Sequence, residues 1–399
     1  MRRLIQGFFY NNPDNYPAII NSTRLLQGAG WEVELFCRDD EKDWNIGYPV
    51  GSRIARIKVS KKKGSWQEYF AFLSTSLRRG KSDSSFFIGH DMHGLVPARI
   101  LAALHRRPLI YCCYDYVDDG QALKVGSRLV RSFQSKFASH ADLVTVPDAG
   151  LGAILKTDLG LRNDPLVVVN SPLVSSREGG GLREALDARQ KRFEKIVFRQ
   201  GRVGPGHGIE ATIRSMPHWK SQTWGFVVMG ITDSPFVESM QQLAISLGVA
   251  NRFVVLPPVG YDAVAQFTPD ADLGHALYES THVNNRNIGG ACKVQEYLAA
   301  GVPLLVSTQP SLKKLMADYK CGIVVDENSP RAIATAITDL LCDPERRASM
   351  AASAREAFAG VFCYERQFAP VIERLGSLVA GNGGPSRASD LKATAVIAK

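Results

Sequence analysis

Residues 284–307 read NNRNIGGACKVQEYLAAGVPLLVS. A polar loop runs into the glycine pair Gly289-Gly290, then a stretch with helical spacing from Lys293 to Ala300, a stop at Gly301-Val302-Pro303, and the apolar run Leu304–Ser307. A short helix halted by glycine and followed by a continuous apolar run is the signature of a parallel strand buried on both faces. The segment is therefore one repeating unit of an α/β sheet.

The same unit recurs on both sides. In the second half, strand candidates are 195–198, 224–229, 252–256, 273–276, 304–307 and 322–325, with helices between them. In the first half they are 4–10, 32–37, 85–88, 109–113, 143–146 and 166–169. Between the halves, Val174-Ser175-Ser176-Arg177-Glu178-Gly179-Gly180-Gly181 breaks the alternation and predicts a flexible linker. The expected organisation is two Rossmann-like, doubly wound parallel-sheet domains facing a central cleft. The first spans residues 1–174 and the linker 175–194. The second domain spans 195–360, a helix within 361–379 crosses back to the first domain, and 380–399 form a disordered tail. A chain of 399 residues fits two cores better than one.

The chain is 45% hydrophobic and 22% charged, in the soluble globular range, and holds no apolar run long enough for a spanning helix. Its first residues lack the apolar core and cleavage site of a secretory signal and read as a first buried strand. Seven scattered cysteines with no C-x-x-C pair argue against a disulfide framework or zinc site and for a reducing, cytoplasmic setting. Residues 1–180 carry 24 Lys and Arg against 18 Asp and Glu, within an overall net charge of +9, which suits an anionic partner as well as simple solubility. No nucleic-acid motif is present, and the aromatics do not cluster with the basic residues as a stacking platform would.

Chemistry concentrates at strand ends. Gly289 and Gly290 let a bulky anion approach the backbone, and the N–H groups of the following helix start attract it. Lys293 adds a cation in the first turn, and Glu296, one turn on, can accept hydrogen bonds from ribose hydroxyls. Asn287 lies in the loop just before. After strand 195–198 comes QGRVGPGHG, residues 200–208, where Gly201 and its neighbours form a turn and Arg202 can grip an anionic oxygen. In the first half, His90 and Asp91 follow a strand and are expected to face the cleft. Asp115 follows the next strand, where it can orient an acceptor hydroxyl or act as base. An ordinary capped helix with a salt-bridged Glu296 is the plain alternative for the first motif, and an Asp91 helix cap for the third.

Residues 293–303, KVQEYLAAGVP, resemble the core motif of the family 4 glycosyltransferases, retaining enzymes of the GT-B fold, and the likeness runs through most of 195–375. The resemblance implies that Glu296 binds the donor ribose and that the preceding loop and helix start hold the donor phosphates. It also implies that Arg202, with the residue five positions later, neutralises the departing diphosphate. That later residue is a lysine in the family and His207 here. The family's first glutamate, eight residues before the second, is replaced by Ile288, and a histidine near the donor sugar by Tyr114.

The resulting expectation is a metal-independent, retaining transfer of a sugar from a nucleoside diphosphate sugar, used as substrate with no cofactor, to a saccharide or lipid-linked acceptor. Bacterial cell-surface glycan or glycolipid assembly is the expected setting. In the stretch Leu123–Ala138, Lys124, Arg128, Arg131 and Lys136 interleave with apolar residues, as peripheral contact with an anionic membrane would require; a packed helix with a solvated basic face fits equally. The altered positions also suit a chain that binds nucleotide sugar without transferring it. A nucleotide-sugar epimerase is the third reading.

Overall fold

The computed structural model describes residues 3–39, 46–58, 65–117 and 125–382, with the side chains of 125–129 and 381–382 excepted. The expected tail, Lys124 and Leu123 lie largely or wholly outside these residues.

Strands β1 (Leu4–Phe9), β2 (Glu32–Arg38), β3 (Ser52–Ile57), β4 (Phe86–His90), β5 (Leu109–Cys112), β6 (Leu143–Val146) and β7 (Leu166–Val167) form one sheet in the order β3-β2-β1-β4-β5-β6-β7. Strands β8 (Lys195–Gln200), β9 (Trp224–Met229), β10 (Phe253–Leu256), β11 (Leu273–Ala276), β12 (Leu304–Val306) and β13 (Gly322–Val324) form the other, in the order β10-β9-β8-β11-β12-β13. All pairings are parallel. Each sheet reverses direction of winding once, between β1 and β4 and between β8 and β11, and ligands of open α/β sheets lodge in the crevice at that switch point.

The cores explain the apolar runs. Phe8, Phe36 and Phe87 stack across neighbouring strands, with Phe8 and Phe36 centroids 5.3 Å apart. In the second sheet Val197, Phe226 and Leu305 are fully buried on one face and Phe198, Val227 and Leu304 on the other. Each such side chain contributes about 1.5–3 kcal/mol of apolar burial.

The connection between the sheets is not the free linker its glycines suggest. Residues Gly181–Asp187 form a helix whose Leu182 and Leu186 are buried in the second core, and Asp270 accepts the backbone N–H groups of Gly180, Leu182 and Arg183. Beyond the second sheet, the Tyr364–Asn382 helix lies on the first domain. Its Tyr364, Phe368, Val371 and Leu375 pack with Ile5, Leu26 and Ile110, and the Tyr364 hydroxyl donates to Ala18 O at 3.1 Å. All seven cysteines are free thiols, and no helix among the described residues is long and apolar enough to cross a membrane.

Candidate functional site

Between the two switch points lies a cavity of about 560 Å³. The second domain contributes Gly201 and Arg202 after β8, Met229, Gly230 and Ile231 around the end of β9, Pro258 and Val259 after β10, Tyr278 after β11, and Lys293 and Glu296 from the Cys292–Ala300 helix. The first domain contributes Asn11, Asn15, Tyr16 and Asp115. Two tight turns make the room. Gly230 has φ +153°, and a β-carbon there would overlap the Gly201 carbonyl oxygen, so the loops after β8 and β9 can meet only at glycine.

The cavity is rich in cations. Arg202 is exposed and Lys293 half-buried, and neither forms an ion pair with the described residues. The Lys293 ammonium lies 5.0 Å from the Tyr278 ring centroid. Enclosure, and then the charge of Arg199, hold its pKa well below the ordinary lysine value. Arg199, fully buried in β8, lies under the same ring at 5.4 Å and leaves Nε and Nη2 unpartnered. His207 stands edge-on to Tyr278, and its pKa is driven far down by burial and by Arg199, Lys293 and Arg202, so the ring is neutral. A site with several uncompensated donors is prepared for an anion.

Glu296 lines the cavity but is only 3% exposed. Arg177 Nη1 lies 2.6 Å from its Oε2, an ion pair that no local sequence pattern reveals. Burial raises the Glu296 pKa, while Arg177 and the Tyr261 hydroxyl act in the opposite direction. The Tyr261 hydroxyl itself accepts the Asn21 amide at 2.9 Å, across the domain boundary.

The glycine pair is placed differently from expectation. Gly289 N–H donates to Asp148 Oδ2 at 3.0 Å, and a β-carbon on Gly290 would overlap the Pro147 carbonyl oxygen. Both glycines serve close approach of the two domains and neither lines the cavity. Asn287 is also outside it, its amide bonded to Val283 O at 2.8 Å. The neighbouring Asn285 lines it instead, bonded to Gly206 O and Glu279 O.

In the first domain only Asp115 of the three expected residues reaches the cavity. His90 is 6% exposed, with Nδ1 3.0 Å from the Tyr114 hydroxyl, and burial lowers its pKa to about 3. Asp91, at φ +53°, turns its carboxylate onto the backbone N–H groups of Tyr114 and Asp115, at 2.8 and 3.3 Å. It thereby shapes the turn that presents Asp115. Burial and the Asp115 charge raise the Asp91 pKa. Asp115 is accessible to solvent at the cleft surface yet surrounded by its walls, which raises its carboxyl as well. Arg131, expected on an outward basic face, instead donates to Val117 O and the Tyr116 hydroxyl at 2.8 and 2.7 Å, while Phe133 and Lys136 remain exposed. No group of three His, Cys, Asp or Glu suited to a metal ion occurs among the described residues.

A family model for glycosyl transferases group 1 matches residues 183–357, and one for a glycosyl transferase 4-like domain matches residues 21–171. Over 177 residues the chain is 28% identical to the GDP-mannose-dependent alpha-(1-6)-phosphatidylinositol monomannoside mannosyltransferase of Mycolicibacterium smegmatis, a match covering 42% of this chain and 46% of that protein. The chain thus spans somewhat under half the length of that curated relative. Among solved structures, sucrose-phosphate synthase of Thermosynechococcus elongatus superposes with a TM-score of 0.73 at 16% identity, covering 95% of this chain and 100% of that one. Anabaena Alr3699/HepE in complex with UDP and glucose gives 0.73 at 15%, covering 94% and 100%. Two family matches that take in the second sheet and all of the first but β1, and two solved structures that superpose along nearly the whole chain, agree with the architecture: the chain belongs to the family 4 glycosyltransferases and has the GT-B fold.

Proposed function

We propose that this chain transfers a sugar from a nucleoside diphosphate sugar to an acceptor hydroxyl, with retention of configuration and without a metal ion. The observation that carries the proposal is the convergence of Arg202, Lys293 and Glu296 on one interdomain cavity, with both cations free of ion pairs to the described residues. The diphosphate would lie against Arg202 and Lys293 and the ribose on Glu296, with the base toward Ile231, Pro258 and Val259. The reactive end of the acceptor would enter past Tyr16 and Asp115.

In the reaction so read, the acceptor oxygen bonds to the anomeric carbon on the face from which the diphosphate leaves. The carbon–oxygen bond to the β-phosphate breaks, its electron pair passes to the diphosphate oxygen, and Asp115 takes the acceptor proton. Arg202 and Lys293 stabilise the charge that develops on the leaving group, and fixed charges aimed at such a developing anion are usually the main source of rate enhancement. With two protein cations matched to the diphosphate, the reading needs no divalent ion. The acceptor is a saccharide or a lipid-linked saccharide. Cytoplasmic location, with peripheral contact to anionic membrane through Phe133 and Lys136, belongs to the same proposal, and its support is their exposure on one helix. Vesicles of anionic lipid should co-sediment the protein and release Phe133→Glu; equal sedimentation of both removes that part.

Incubation with a panel of UDP- and GDP-sugars should release nucleoside diphosphate from at least one, faster when an acceptor glycoside is present, and the product's anomeric configuration reports retention or inversion. Ile288, at the position of the family's first glutamate, favours a second reading in which the chain binds nucleotide sugar without transferring it. Nucleotide binding with no release of diphosphate would decide for that reading. Isomerised sugar without acceptor would decide for an epimerase.

A further inference from the structure

The partner of Glu296 comes from outside the second sheet. Arg177 stands in the connection between the domains, and its side chain is 8% exposed while that of Glu296 is 4% exposed. The connection is pinned on both sides of it: Val174 N–H donates to Glu365 Oε1 at 2.9 Å, and Gly180 N–H to Asp270 Oδ1 at 2.8 Å. The guanidinium therefore reaches the cavity wall from a fixed base. It engages Oε2 of Glu296, while the Cys292 thiol lies 3.9 Å from Oε1 and the Tyr261 hydroxyl also bonds to the carboxylate.

A carboxylate this buried favours its neutral form unless a cation stands beside it. The two forms differ in what they recognise. An ionised carboxylate accepts bonds from both hydroxyls of a vicinal diol, whereas a carboxylic acid spends one oxygen as a donor. Charge-assisted bonds are also about twice as strong as neutral ones. Removing Arg177 would thus change the quality of a diol site without touching the diol.

We propose that Arg177 is a positioning residue of the nucleotide site: it holds Glu296 as an oriented carboxylate able to accept ribose hydroxyls, so that selection of ribonucleotides depends on the interdomain connection. The proposal rests on the reading of Glu296 as the ribose residue. It assigns to a connecting segment a part in donor specificity. The other titratable groups facing Glu296 are Tyr261 and Cys292, both raised by burial, and neither ionises in the working range. Lys293 on the same helix and His207 across the cavity are both shifted down.

The test is calorimetric titration of the full chain with UDP and GDP and with their 2′,3′-dideoxy counterparts, for the wild type, Arg177→Gln and Arg177→Lys. The tighter ribonucleotide should bind the wild type at least about tenfold better than its dideoxy form. Arg177→Gln should bring that ratio near one, and Arg177→Lys should restore part of it. Burial raises the Glu296 pKa and Arg177 lowers it, so ribonucleotide affinity should persist to lower pH in the wild type than in Arg177→Gln. A wild-type ratio in Arg177→Gln, or a pH dependence that is the same in the wild type and both variants, overturns the proposal; Arg177→Lys keeps a cation at the site and supplies the readout if Arg177→Gln does not fold. A wild type that binds neither nucleotide, or binds without ribose preference, overturns the underlying reading of the cavity, an outcome distinct from the first two.

Discussion

The Asp148 carboxylate of the first domain accepts the backbone N–H of Gly289 in the second, at 3.0 Å, while its other oxygen caps the Ala149–Asp158 helix through Gly150 N and Leu151 N. One side chain thus ties a helix start to the facing domain. Asp148→Ala should lose the cap, worth about 1 kcal/mol, together with the bridge. Asp148→Asn keeps an acceptor and should lose much less. Denaturant unfolding separates them, and equal stabilities would show that the contact carries no weight.

The two free cations make the strongest demand on ligand binding. Arg202→Ala and Lys293→Ala should each weaken UDP or GDP binding about ten- to a hundredfold, as loss of a hydrogen bond to a charged group requires. Lys314→Ala, exposed, paired with Asp318 and outside the cavity wall, should bind as the wild type does. Titration calorimetry reads all three.

Gly230 is set by space. With φ +153° and the Gly201 carbonyl where a β-carbon would stand, Gly230→Ala must push the loops after β8 and β9 apart. A destabilisation of about 3 kcal/mol or more is expected, with loss of nucleotide binding. Unfolding curves and titration on the same preparation measure both, and a neutral substitution would contradict the packing described.

The Asp91–Asp115 pair sets the pH dependence. Both carboxyls are raised in the folded chain, Asp91 partly by the Asp115 charge. If Asp115 accepts the acceptor proton, it must be ionised, so kcat/KM should rise with pH through a limb lying above the ordinary carboxylate range near pH 4. Asp115→Asn should remove that limb together with most of kcat/KM. A limb that persists unchanged in the variant would take Asp115 out of the role.

The two sheets are largely legible in the sequence because buried parallel strands are short, apolar and separated by helices. The exception is β3, an edge strand in which Arg53 and Arg56 interrupt Ile54 and Ile57, so no apolar run marks it. The site is legible where one unit holds it: Gly201 and Arg202 follow β8, Lys293 and Glu296 lie on the Cys292–Ala300 helix of the same domain, and the four come together. Contacts between domains are not. Arg177 beside Glu296 and Asp148 beside Gly289 are 119 and 141 residues apart in sequence, and no local pattern encodes such a meeting. His90 departs from expectation for a related reason. A histidine at a strand end reads as a cleft residue, but Tyr114 from the next strand end covers it. Glycines and serines suggest a flexible linker, yet their freedom is outweighed by the apolar spacing of Leu182 and Leu186 and by the Asp270 carboxylate.

A crystal structure of the full chain with the tighter-binding of UDP and GDP tests the central claim most directly. The account predicts phosphate oxygens within hydrogen-bond reach of both Arg202 and Lys293, and ribose hydroxyls on Glu296, inside the interdomain cavity. A nucleotide bound elsewhere, or one whose phosphates avoid both cations, would contradict it.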